Sequence, residues 1–436
     1  MTAEIVVMNR EAVALAADSA VTIQKGRDEK VITSANKIFT LSRKCPVGVM
    51  MFGGANHMGV PWETVVSLYQ ERLGAGCFDT LEEYADDFMG FLSGEMRLYP
   101  ESEQREYFAA TVTDCFVFVK NVLRDAVNSL VEENPAATDE QKRDAANKAF
   151  RAILKVWDKA EALPSAPADL AERLEAQYGK VIGEIRRKVF RRWPASPSYS
   201  GRLNRLALDI FIKSPSTPQF GTLSGVVVAG FGENDIFPTV VEFLVGGVVC
   251  DYLRYKKDRV SGTGSGTRAA VIPFARREMV NAFMEGAEPA YNDTVFNRYG
   301  VALDAYRELV EGLIGGLKDA GDKEDYRKRA DSIRKGAAEI PRELAAFRRK
   351  KYVIPVIDVI AGLPKNELSE IAESLVNLTS FRTRMSFAAE SVGGPIDVAV
   401  ITRSDGFVWI KHKHYFAPEL NPQFFINYFS EGRDRG

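Results

Sequence analysis

Thr2 carries both halves of a nucleophile–base couple once Met1 is removed, a side-chain hydroxyl and a free α-amine. A hydroxyl is a poor nucleophile at neutral pH without a base, and an α-amine titrating at about 7.7–8.0 can take its proton. Asp18 ends an apolar run that begins at Ala12, and Lys37 stands at the edge of the run Ile-Phe-Thr-Leu41. If both are buried, the carboxylate holds the lysine ionised, and that positive charge lowers the pKa of a nearby hydroxyl and amine. Gly53-Gly54, where an apolar stretch meets Ala-Asn-His-Met-Gly59, offers backbone N–H groups that can turn toward a developing oxyanion. Each of these groups also has a plainer reading: a turn-capping carboxylate, a solvent-facing strand lysine, a tight turn.

The elements that must position these residues follow from the hydrophobic pattern. Residues 2–8 predict a strand, and 5–18 a hairpin turning at Asn9. Residues 30–41 predict a second strand pair, and 47–52 a buried strand that leads into a helix over 62–73 closed by Gly74. Residues 224–232 and 237–245 predict a further pair. Between 81 and 212 the periodicity is helical, punctuated by Pro135, Pro164, Pro167 and Pro194, and a second helical block spans 274–347.

With these residues in this order, the chain resembles the β-type subunits of proteasomes and their bacterial relatives, the HslV-type and Anbu-type peptidases, which are N-terminal-nucleophile (Ntn) hydrolases. The resemblance implies an α+β fold, a four-layer αββα sandwich with large helical insertions. It divides the chain into an N-terminal part of the sandwich (1–80), a helical insertion (81–215), a second-sheet part (216–275), another helical insertion (276–350) and C-terminal helices and strands (351–436). It makes Thr2 the nucleophile, Asp18 and Lys37 its charged partners, and the Gly53 N–H the oxyanion donor. Ser265, in Gly264-Ser265-Gly266, matches a serine that positions the amine. In Glu390-Ser391-Val-Gly393, Glu390 takes the place of the family's Asp and Gly393 that of its Ser, so one orienting hydroxyl is missing and Ser391 stands beside the gap.

The implied function is a threonine-type peptidase that cleaves amide bonds through an acyl-enzyme on Thr2 and uses neither metal nor organic cofactor. The implied partners are a peptide or small amide substrate and further copies in a homo-oligomeric ring, with an ATPase or adaptor as a candidate. A small-substrate amidase and a non-catalytic scaffold are the alternatives.

Composition fits these expectations. The chain has 436 residues, 46% hydrophobic, enough for a sizeable core, and its net charge of −2 argues against nucleic acid as the partner of the whole chain. Neither a secretory leader nor a membrane span is expected, which points to the cytoplasm. Cys45, Cys77, Cys115 and Cys250 show no paired spacing and are expected as buried thiols. Gly262-Thr-Gly-Ser-Gly266 lacks the Lys-Ser/Thr of a phosphate loop. His412 and His414 are expected on an exposed strand face, and the basic runs at 186–193, 327–329 and 348–351 as solvated helix faces or subunit salt links.

Overall fold

The computed structural model describes residues 3–25, 28–191, 198–215, 220, 221, 223–264, 266–316, 319–385, 393–414, 416–423 and 426. The chain opens with an antiparallel hairpin, β1 (Ala3–Asn9) and β2 (Ala12–Asp18), in the register Val6↔Leu15. Asn9 makes the turn: its Oδ1 accepts the N–H groups of Glu11 (2.9 Å) and Ala12 (3.2 Å). A ribbon of β3 (Val21–Lys25) and β4 (Asp28–Ile32) follows, then β5 (Ile38–Thr40), β6 (Val47–Phe52) and a short ribbon of β7 (Asn56–His57) and β8 (Val60–Pro61).

Six helices come next: α1 (Trp62–Leu73), α2 (Leu81–Gly94), α3 (Glu101–Glu133), α4 (Asp139–Lys159), α5 (Leu170–Val189) and α6 (Ser198–Ile212). Capping boxes start two of them, Thr80 with Glu83 for α2 and Thr138 with Gln141 for α4. Strands β9 (Ser224–Gly230), β10 (Thr239–Val249), β11 (Tyr252–Gly262) and β12 (Ala269–Ala275) precede α7 (Glu278–Glu285), α8 (Pro289–Gly316), α9 (Ala320–Arg348), α10 (Ile354–Ile360) and α11 (Lys365–Arg384). The strands β13 (Ile396–Thr402) and β14 (Gly406–Lys411) are the last described strands. The fold is mixed α and β, with sheets ordered β12-β1-β2-β13-β14 and β11-β10-β9-β6-β5.

Two compact units divide the chain, one of Met1–Ser34, Thr263–Val400 and Val408–Gly436, the other of Ala35–Gly262 and Ile401–Phe407. In the first, Ile5, Val7, Ala14 and Ala16 pack on Val280, Leu368, Ala372 and Val376, so the small alanines of β2 let α11 lie close to the sheet. The opposite-facing Val6, Met8, Val13 and Leu15 are also fully buried, which is why β1 and β2 are near-continuous apolar runs without alternation.

In the second unit, Val226, Val228, Val241 and Phe243 pack on Trp62, Tyr69, Phe88 and Leu92 of α1 and α2. Helices α3 to α6 build a separate aromatic core in which Phe108 stacks between Tyr178 and Phe211, at 4.2 and 4.9 Å.

Three details differ from expectation. Strand β12 pairs with β1, Ala3 opposite Ala275, so residues 269–275 belong to the sheet of the N-terminal hairpin and not to the sheet of β9 and β10. Residues 33–37 are irregular, so the 30–41 segment is the end of β4 and the whole of β5 without a pairing between them. Cys45 and Cys77 are joined in a disulfide, Cα atoms 6.4 Å apart, leaving Cys115 and Cys250 as the buried thiols. The meeting of the β6 lead-in with the α1–α2 link is a tertiary event, and the spacing of these cysteines carries no sign of it.

Candidate active site at the head of the first strand

Asp18 is the last residue of β2, and the pairing Glu4↔Ala17 brings it level with Ala3. Its side chain is 1% exposed. Oδ1 accepts the Ala3 N–H at 3.1 Å and Oδ2 the Gly393 N–H at 2.8 Å. A buried carboxylate needs such donors, and N–H groups bonded to an ionised acceptor make stronger bonds than neutral pairs. The Gly393–Pro395 turn is fixed to the same place. Ser19 Oγ donates to the Pro395 carbonyl at 2.6 Å, and Gly394 sits at φ 79°, where an added Cβ would lie 2.6 Å from the Thr33 carbonyl oxygen. Asp18 therefore holds the backbone of β1 one residue beyond Thr2.

Neighbouring residues add charge that sequence patterning did not single out. Glu4 is fully buried on β1, opposite Phe274 and Ala17. Ala275, opposite Ala3, adopts φ 53°, a conformation uncommon outside glycine. It turns the chain into Arg276, whose guanidinium donates to Thr383 Oγ1 at 3.0 Å. A carboxylate inside an apolar strand, and a strand ending in Ala-Arg-Arg, were the available signals.

Lys37 and Gly53 come from the other unit. Lys37 is 5% exposed and precedes β5; its carbonyl accepts the Met51 N–H at 2.8 Å, extending the Ile38↔Met50 register by one residue. That ladder places Lys37 beside the end of β6, just before Gly53. Gly53 has φ 89°, and an added Cβ would meet the Leu223 carbonyl oxygen at 2.7 Å, so the position demands glycine. Farther on, in β7, His57 is buried between Trp62 (stacked, 5.0 Å) and Tyr99 (edge-on, 5.3 Å). Burial drives its pKa down to about 4, and its Nε2 has no hydrogen-bond partner among the described residues. The imidazole is thus neutral at pH 7 and serves as packing.

The chain matches no known protein family and no curated protein.

Of the six residues singled out from the sequence, Asp18, Lys37 and Gly53 are placed as above, whereas Thr2, Ser265 and Glu390 lie outside the described residues. The neighbours of Glu390 and of Ser265 differ in where they lead. Gly393 reaches the Asp18 carboxylate. By contrast, the Gly264 carbonyl accepts from Arg10 at 2.7 Å and Thr263 Oγ1 donates to the Asn9 carbonyl at 3.4 Å, at the far end of β1. At about 3.3 Å per residue, that end is roughly 20 Å from Ala3. The described backbone on the N-terminal side of Ser265 therefore leads away from the head of β1, which the resemblance did not anticipate.

The C-terminal histidines also differ from expectation. Strand β14 stops at Lys411, so the alternation does not continue through His412. His412 Nδ1 lies 3.2 Å from Asp397 Oδ1, which also accepts the Lys413 N–H at 3.0 Å, and Lys413 Nζ pairs with Oδ2. Burial pushes the Asp397 carboxyl up, but the hydrogen bonds from His412 and Lys413 outweigh it and hold the pKa below the usual range. His412 stacks on Trp409 at 4.1 Å, so the cluster fastens the end of the strand.

Proposed function

We propose that this chain is a threonine-type Ntn hydrolase that cleaves amide bonds, a peptidase in its simplest form. The observation that carries the reading is the buried Asp18 carboxylate accepting the Ala3 N–H, because it fixes the backbone immediately after Thr2. In this mechanism Thr2 Oγ attacks the amide carbonyl carbon and its proton passes to the α-amine, directly or through a water. The Gly53 N–H stabilises the tetrahedral oxyanion, and Lys37 with Asp18 sets the local field. Collapse breaks the C–N bond, the proton leaves with the amine, and water then hydrolyses the threonyl ester. Asp18 belongs to one unit and Lys37 and Gly53 to the other, so their grouping into one centre rests on the family resemblance. Ser265 and Glu390 have no step in this scheme.

The finer fold that goes with this reading is a four-layer αββα sandwich with helical insertions. Turnover of a fluorogenic peptide series by chain lacking Met1 tests the chemistry. Thr2→Ser should retain measurable hydrolysis, and Thr2→Ala should lose it. A second reading, a scaffold that keeps the fold without catalysis, is favoured by the departure of the Gly264 turn from the head of β1. On that reading wild type and Thr2→Ala are equally inert.

A further inference from the structure

A cleft of about 560 Å³ lies between α4 and α6, far along the chain from the residues of the proposed hydrolase centre. Its α4 wall carries Arg151, Lys155 and Lys159, and its α6 wall carries Arg202 and Arg205. On α4 these cations recur every fourth residue, which sets them in one row about 6 Å apart along the helix. Two acids share the lining, Asp158 and Asp209. Asp209 is 4% exposed and already neutralised, by Arg205 at 3.1 Å and Lys213 at 3.2 Å. Arg151, Lys155, Lys159 and Arg202 are exposed and, among the described residues, have no carboxylate within ion-pair reach.

A row of like charges at this spacing destabilises a helix when nothing offsets it; Arg202 adds a further cation from the α6 wall, and the exposed Asp158 forms no ion pair with any of the four among the described residues. An ordinary solvated face carries acids interleaved at the same spacing, as α9 does with Glu324–Lys328 and Asp325–Arg329. Trp157, 1% exposed, lines the cleft, and its indole N–H has no acceptor among the described residues.

We propose that this cleft binds a small polyphosphate anion, a pyrophosphate or the phosphate chain of a nucleotide. The volume falls in the range of small-ligand pockets, guanidinium groups match phosphate oxygens in bidentate fashion, and charge spread along a chain suits a row of cations better than a point charge does. The site is independent of the proposed hydrolase chemistry.

Calorimetric titration of inorganic pyrophosphate and of ADP into the full chain tests it. The expected result is saturable one-site binding that weakens as salt is raised. Arg151→Glu with Arg202→Glu should weaken it by about tenfold or more, the loss expected for charge-assisted contacts, with an unchanged circular dichroism spectrum. The charge-matched pair Arg327→Glu with Lys335→Glu on α9 should bind as wild type does. Equal affinity for the two probes assigns recognition to the phosphates, and tighter ADP binding adds the nucleoside. Absence of saturation at millimolar probe, equal loss in both variant pairs, or tighter binding of a single-stranded oligonucleotide than of either probe would overturn the proposal.

Discussion

Replacing Asp18 by Ala leaves two buried backbone donors, the N–H groups of Ala3 and Gly393, without their acceptor. Each unsatisfied group costs about 1–3 kcal/mol, so thermal denaturation should show a clear loss of stability, and Asp18→Asn, which keeps one acceptor oxygen, a smaller one. His57 makes a second prediction. Its native pKa of about 4 lies below the unfolded value of 6.5, so between these values the unfolded chain binds the extra proton and stability falls as pH falls. The contribution is complete above pH 6.5, and acidification to about pH 4 removes about 3 kcal/mol of it. His57→Phe retains the aromatic packing and should flatten that part of the stability–pH profile measured by urea denaturation. Asp397 follows the usual carboxylate sign: its depressed pKa gives stability that is present above the unfolded pKa and lost as pH drops through the native one. Among single residues, the burial of Asp18 and Lys37 and the tight turn at Gly53 were legible because charged and glycine positions interrupt apolar runs. Glu4 and Arg276 gain their places from the pairing of β12 with β1, which local sequence does not encode.

At the scale of elements, the turn after β6 is tightly constrained. Gly53→Ala combines an unfavourable φ of 89° with a carbonyl oxygen 2.7 Å from the new Cβ, so it should lower the melting temperature by the equivalent of about 1–3 kcal/mol. A melting curve matching wild type would show that the turn relaxes freely. The α1 helix was readable to the residue, Trp62 to Leu73 with Gly74 after it, because its apolar period and terminal glycine are local signals. The β9–β10 pair was likewise readable from its valine-rich runs. Strand β12 was assigned to the wrong sheet because Ala-Ala-Val-Ile-Pro-Phe-Ala is apolar on both faces and carries no register information. The histidines of 412–414 were misread because strand alternation was extended past a strand that ends at Lys411.

For the whole molecule, the Cys45–Cys77 bond gives a count that can be checked: denatured, unreduced protein should show two reactive thiols, Cys115 and Cys250, and four after reduction. The bond closes a loop with a sequence separation of 32, for which the chain-entropy relation gives about 3–4 kcal/mol, so reduction should lower the denaturation midpoint. Such bonds persist mainly in oxidising compartments, so four thiols in protein isolated from the cytoplasm would indicate that the fold stands without it. Among the described residues no helix is long and apolar enough to cross a membrane. Whether Thr2 is the nucleophile is decided by intact-mass measurement of untagged protein before and after treatment with an epoxyketone probe. The expected result is loss of Met1 and one covalent adduct that maps to Thr2 and is absent in Thr2→Ala. A chain without Met1 that takes up no adduct, or one labelled equally in Thr2→Ala, would contradict it.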